Sequence, residues 1–323
     1  MTLHTIDPAL ETLHGHFSRE LPPILTIASG DRVRYRTLDS GWGTFDNSNP
    51  YEKPPKFAGR DRERDPGHAL CGPVRIKEAK AGMTLEIAFM TIRTGTWGWS
   101  TGGGYPSEVN TRLNLKDGPE WILRWALDPV RNLAQNQFGQ KVRIRPFMGN
   151  LGMPPDEPGR YSTFPPRYCG GNIDCKELVE GSSLFLPVAV DGGLFSIGDG
   201  HAIQGDGEVG GPALECPMEL VEVEFHLHPE LHLSYPRAET SAGWITFGFH
   251  ENLNEAAMIA LDGMLEWMGL LLGIERKEAL ALSSLLVNLH ITQLVNGVRG
   301  VHAVLPHDVL VGLQHKREMK NPG

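Results

Sequence analysis

Val221-Glu222-Val223-Glu224-Phe225-His226-Leu227-His228 alternates apolar and polar side chains without a break. Successive side chains of a strand point to opposite faces, so the stretch reads as a half-buried β-strand with its valines, Phe225 and Leu227 inward. Glu222, Glu224, His226 and His228 share the other face. That face carries donors suited to a metal, but a solvated face of paired acids and imidazoles has the same pattern.

The same period recurs on either side. Asp31 to Leu38 alternates and ends at Asp39; Thr84 to Phe89 puts Leu85, Ile87 and Phe89 on one face after a turn at Ala81-Gly82. Ser183 to Val190 reads as a strand, Asp191-Gly192-Gly193 as a hairpin turn and Leu194 to Ile197 as the returning strand, delivering Asp199 and His201 just beyond its end. Residues 1–30 read as a lead-in, 40–68 as a long loop, and 149–172, dense in Gly and Pro, as an ordered, sharply turning loop. Helical spacing enters only after residue 250. Asn252 is placed as an N-cap; Ala257, Leu261, Met264, Leu265, Met268 and Leu272 recur at helical intervals, and Gly273 stops them. A second helix is expected over Lys277 to Leu286 and a last strand over His302 to Leu305.

With 38 Gly and 24 Pro among 323 residues, and strands through the first three quarters, the fold class is mainly β (α+β) with a helical segment near the C-terminus. The chain is treated as a single unit, 1–323, with subdomains at 1–148, 149–250 and 251–323. A net charge of −9 argues against a nucleic-acid partner, which needs concentrated Lys and Arg. The apolar run Ala256 to Leu272 contains Asp262 and Glu266, so it is expected as a core helix, with no membrane partner. Cys71, Cys169, Cys175 and Cys216 form no C-x-x-C pair, and the N-terminus has no basic start or apolar run; reduced thiols in a cytoplasmic protein are expected.

The chemistry concentrates between Gly170 and Glu215. Gly198-Asp199-Gly200-His201-Ala202-Ile203-Gln204-Gly205-Asp206-Gly207-Glu208 holds three acids and one imidazole spaced by glycines, and no Lys or Arg lies between Asp199 and Glu215. Carboxylates forced together must hold a proton or a cation, or stay wet and apart. The oxygen-rich set with one nitrogen suits Zn, Mn or Ca; an Asp-Gly turn with solvated acids has the same spacing. An EF-hand loop fails at its third and fifth positions, His201 and Ile203. Gly205 to Gly210 spells G-x-G-x-x-G, but its two carboxylates would face a pyrophosphate and no βαβ unit surrounds it. No G-x-S-x-G elbow occurs. His68, beside a turn, reads alone as structural.

Tyr161-Ser162-Thr163-Phe164-Pro165-Pro166-Arg167, Gly170-Gly171-Asn172-Ile173-Asp174, Leu186-Pro187-Val188 and the Gly198 to Glu208 motif resemble the acetamidase/formamidase family. So do Gly30-Asp31 leading to Asp39, His68 to Pro73, Ala79 to Leu85, Asn288 to Asn296 and Gly300 to Pro306. The resemblance spans nearly the whole chain. It implies intertwined β-barrel or sandwich-like subdomains, hydrolysis of short linear amides to a carboxylate and ammonia, a divalent metal (zinc, with calcium as the alternative), and a homo-oligomer. Carried onto this chain, it implies Asp39, His68, Asp174, Asp199, His201, Asp206, Glu208 and Glu215 as site residues; of these Asp199, His201, Asp174, Asp39, Glu215 and His68 are the candidate metal ligands. Glu208 is placed as general base, with Asp206 and Asn172 as further catalytic residues, Asn172 or a glycine N–H facing an oxyanion. The chain departs from the family pattern at Pro212-Ala213-Leu214 before Glu215, at Asn288-Leu289-His290, and in residues 40–66 and 97–104. Two other readings compete: a non-haem iron oxygenase, which needs His68 beside His201, and a non-catalytic β-rich module with structural calcium.

Overall fold

A computed structural model describes residues 1–45 and 47–309. In chain order the strands are β1 Leu3–Ile6, β2 Leu13–His14, β3 Leu25–Ile27, β4 Arg32–Thr37, β5 Leu70–Ile76, β6 Thr84–Thr94 and β7 Trp97–Gly102. After the short helix α1 Glu108–Arg112 come β8 Trp121–Asp128, β9 Leu133–Asn136, β10 Lys141–Arg143, β11 Phe147–Gly152, β12 Pro166–Arg167, β13 Gly170–Asn172, β14 Ser183–Pro187 and β15 Phe195–His201. Then follow β16 Met218–His228, β17 Arg237–Thr240, β18 Gly243–His250, helices α2 Leu253–Leu272 and α3 Arg276–Leu286, and strands β19 Asn288–Gln293 and β20 Arg299–Leu305. The mainly β expectation, with helix near the C-terminus, is met.

The strands form a nine-stranded sheet in the order β1-β4-β16-β6-β14-β17-β18-β20-β19, a seven-stranded sheet β12-β13-β11-β15-β5-β2 with β3 also paired to β5, and a four-stranded sheet β10-β9-β8-β7. The stretches 1–148, 149–250 and 251–323 all send strands into the nine-stranded sheet. Its centre is β16 against β6, antiparallel with bulges. The alternation of β16 works as its pattern demands: Val221, Val223 and Phe225 are fully buried. Each large apolar side chain so buried contributes roughly 1.5–3 kcal/mol relative to exposure. The opposite face is paired rather than merely solvated: Arg34 Nε reaches Glu222 at 2.6 Å, Arg32 bonds Glu224, and His228 Nε2 lies 2.7 Å from Glu86.

Three expectations are corrected. β14 and β15 do not form a hairpin: β14 pairs with β6 and β17, whereas β15 pairs with β11 and β5. Gly192, Gly193 and Leu194 take positive φ of 89°, 70° and 61° in succession, which swings the chain from one sheet to the other. The strand that should stop before Gly198 continues through His201. Its glycines mark close approach, since a Cβ on Gly198 would meet Ala69 O at 2.2 Å. Residues 1–30 and 149–172, read as lead-in and loop, contain β1–β3 and β11–β13; these strands have two to six residues, too short or too glycine-rich to show alternation.

α2 begins at Asn252, whose side chain accepts from the Asn254 N–H, and ends at Gly273 with φ 69°. Ala256, Ala260, Met264 and Met268, four residues apart, pack against Val301, Ala303 and Leu305 of β20 in a second core. No single helix among the described residues is long and apolar enough to cross a membrane. Cys71, Cys169, Cys175 and Cys216 are unpaired and buried.

Candidate active site

β15 carries Asp199 and His201 into the interior of the seven-stranded sheet, where Phe147 of β11 stands edge-on to the His201 ring at 5.1 Å. Residues 205–211 turn back, bringing Glu208 inward. Glu215 then bridges to both His201 and Trp99 through its backbone. Asp174 follows β13, its N–H donating to Gly149 O at 3.1 Å. Gly149 must lack a side chain: a Cβ there would lie 2.6 Å from Asp174 Oδ1 and 2.8 Å from His201 Cε1. Asp174, Asp199 and Glu208 have φ of 53°, 59° and 46°. Such conformations cost non-glycine residues on the order of 1–3 kcal/mol and cluster where function over-determines the backbone.

His201 Nε2 lies 3.4 Å from Asp199 Oδ1 and 3.1 Å from Glu215 Oε1. One oxygen or nitrogen from each of Asp199, His201 and Glu215 falls within 4.8 Å of the others, and the same holds for Asp174, His201 and Glu208. His201 is thus the hinge of a five-residue cluster, every member of which is 6% exposed or less.

Burial sets the electrostatics. It pushes Asp174 up to about 8, with His201 opposing and Asp199 and Glu215 adding. Glu215 is pushed up to about 7 by burial against the pull of His201. Burial, then the charge of Asp174, hold Glu208 well above its ordinary value. Asp199 alone is held low: burial works against its charge, but His68 and His201 outweigh it. Burial pulls the His201 imidazole down, yet Glu215 and Asp199 win and hold it up.

The donor set fits a divalent cation. Among the described residues, Asp174 Oδ1, Glu208 Oε2 and Glu215 Oε2 are buried without a hydrogen-bond partner, and buried polar atoms left so cost about 1–3 kcal/mol each; His201 Nε2 has only the Glu215 and Asp199 carboxylates. Four carboxylates and one imidazole are hard-to-borderline donors, suited to a divalent ion rather than to copper(I) or iron–sulfur.

The supporting residues fix the geometry. Gln204 Nε2 donates to Asp174 O at 2.7 Å, which turns Gln204 Oε1 toward His201 Nδ1 at 3.0 Å. Nδ1 must then carry hydrogen, and Nε2 faces Asp199 and Glu215. Asn296 Nδ2 donates to Asp174 Oδ2 at 2.7 Å. Neither Gln204 nor Asn296 was singled out in the sequence, because a lone amide carries no spacing signature; the position of Gln204 inside the glycine-spaced motif was the one available hint.

The remaining sequence candidates stand apart from the five. Asp39 is buried, with Trp99 Nε1 at 2.7 Å and the Gly43 N–H as donors. His68 Nδ1 lies 3.0 Å from Thr163 Oγ1 and its ring 4.5 Å from Phe164; it reaches the cluster by the charge it exerts on Asp199. Asn172 Oδ1 accepts from Asn150 Nδ2 at 3.0 Å. Asp206 points away from the five, to Lys176 and His290 at 3.0 Å each.

The family model for the acetamidase/formamidase family matches residues 159–242, the span that holds all five clustered residues. An acetamidase from Mycolicibacterium smegmatis is 53% identical over 61% of this chain. Over this span the chain is similar to the acetamidase/formamidase family. A formamidase from Methylophilus methylotrophus is 25% identical over 61% of the chain. The chain spans 61% and 59% of the lengths of these two relatives. A crystal structure from Thermoanaerobacter tengcongensis, described as a predicted acetamidase/formamidase, superposes with a TM-score of 0.80 at 25% identity, covering 94% of this chain and 96% of that one. This acetamidase/formamidase fold therefore extends well past the 84 residues that carry the family match.

Proposed function

We propose that the chain hydrolyses the C–N bond of a linear amide, giving a carboxylate and ammonia. The observation that carries this reading is the buried cluster of Asp174, Asp199, His201, Glu208 and Glu215, with three carboxylate oxygens that meet no hydrogen-bond partner among the described residues. A divalent cation, zinc by its borderline donors or calcium by its many oxygens, would be held by Asp199, His201 and Glu215 with Asp174, and would polarise the amide carbonyl and acidify a bound water. Glu208 takes the proton of the attacking water and returns it to the leaving nitrogen. A bound cation would keep Glu208 ionised for the first step, and its buried setting favours holding the proton until the second. Gln204 keeps Nδ1–H of His201 turned away and Nε2 toward the reacting centre. Asn172, buried beside Asn150, is our candidate donor toward the oxyanion, with a glycine N–H as the alternative. Water exclusion by the buried walls strengthens each of these contacts.

Ammonia release from a panel of amides, small to aromatic, tests the reading. The purified protein is assayed before chelation, after it, and after return of zinc or calcium. Release that falls on chelation and recovers with one ion supports the proposal. No release from any amide by folded, ion-loaded protein overturns it. A cytoplasmic homo-oligomer completes the proposal; Met258, Leu270 and Leu285 on α2 and α3, 53%, 67% and 80% exposed, are the face to examine by light scattering.

A further inference from the structure

β19 and β20 set His290 directly opposite His302. The two imidazoles stack with centroids 5.0 Å apart and planes 9° apart. The 205–211 turn is tied to β19 by the Gly207 N–H to Ile291 O at 2.8 Å and the Leu294 N–H to Gly207 O at 3.0 Å. This brings Asp206 to the pair: its Oδ2 lies 3.0 Å from His290 Nδ1, while Lys176 holds Oδ1. One ligand atom from each of Asp206, His290 and His302 lies within 4.8 Å of the others.

His302 is the residue that demands an explanation. It is 1% exposed, and its Nε2 has no hydrogen-bond partner among the described residues. Burial, followed by the neighbouring His290, pulls its pKa down to about 3, so the ring is neutral, the form that ligates a metal. Thr292 Oγ1 lies 2.8 Å from Nδ1. With Nδ1–H given to that hydroxyl, Nε2 keeps a lone pair inside the protein, the arrangement that orients histidines at metal centres.

We propose that Asp206, His290 and His302 form a second metal site, distinct from the five-residue cluster, for a borderline transition ion such as Zn²⁺ or Co²⁺. Two imidazoles and one carboxylate match the ligand set of such ions, and three oxygen-poor ligands are too few for calcium. His290 and Asp206 are half-exposed, so an ion can enter from solvent and keep a water as its fourth ligand. Bound there, the ion would fasten the turn that carries Glu208 to the C-terminal strands.

The test uses the full chain, stripped of metal, given a slight excess of Zn²⁺ and desalted, with metal content read by mass spectrometry. The wild type should hold about one zinc per chain more than His290→Ala, and Glu215→Gln, which alters the other cluster, should keep that ion. Co²⁺ loading gives a second readout: visible bands of a four-coordinate nitrogen–oxygen site should be present in Glu215→Gln and absent in His290→Ala and His290→Gln. His290 is half-exposed, so at least one of its two variants should match the wild type by circular dichroism. Equal zinc content in the wild type and a folded His290 variant would overturn the site.

Discussion

Glu208 combines a left-handed backbone, burial and an oxygen that meets no hydrogen-bond partner among the described residues. A residue held this way is tolerated for its chemistry rather than its stability. Glu208→Gln should lower turnover by on the order of 10²–10⁴-fold, the usual weight of a general base. The same change removes one of several mutually repelling carboxyls, so the melting temperature should hold or rise; a fall in melting temperature matching the fall in activity would mark Glu208 as structural. A second buried group sets a pH limit. His14 has Nδ1 on His16 O at 2.7 Å and Nε2 on Ser196 Oγ at 2.9 Å, and burial lowers its pKa to about 4. The unfolded chain takes a proton near 6.5 and the folded one does not until about 4, so stability is lost as pH falls between those values. The full loss is about 3 kcal/mol at 1.36 kcal/mol per pKa unit. Urea unfolding at pH 7 and pH 5 should therefore show a smaller acid-induced drop in His14→Asn than in the wild type.

Among the elements, β11 and α2 make opposite demands. β11 must be bare where it passes the cluster, so Gly149→Ala should displace Asp174 or His201. The expected cost is about 1–3 kcal/mol from overpacking, with a larger proportional loss of activity than of stability, measured by kinetics beside thermal melts. α2 needs its cap: Asn252→Ala should cost about 1 kcal/mol and leave the kinetics alone, because the helix packs on β18 and β20, away from the cluster. The sequence disclosed α2 almost to the residue, since capping and helical spacing are local. It disclosed β16 for the same reason. It hid the partner of β14, because the turn at Gly192-Gly193 has the composition of a hairpin while its successive positive φ values send the chain to another sheet. The site was legible as residue types. Asp174, Asp199, His201, Glu208 and Glu215 were all named, but Asp206, two positions from Glu208, could not be separated from them without knowing which way the turn faced.

For the molecule as a whole, the four thiols report on cooperativity. Burial raises Cys71 and Cys169 to about 12 and pushes Cys175 and Cys216 up as well. Cys71 lies in β5, Cys169 and Cys175 flank β13 and Cys216 precedes β16, so a thiol reagent should modify none of them in the native protein and all four with one rate as urea unfolds it. Separate rates would show that one sheet opens before another. The sheet order carries a further consequence for biosynthesis. A ribosome delivers Asp174, Asp199, His201, Glu208 and Glu215 long before residue 296, yet Asp174 waits for Asn296 and β18 waits for β20. The nascent chain thus carries a finished set of acids in a cleft with a wall missing, beside a strand edge still open to any neighbour.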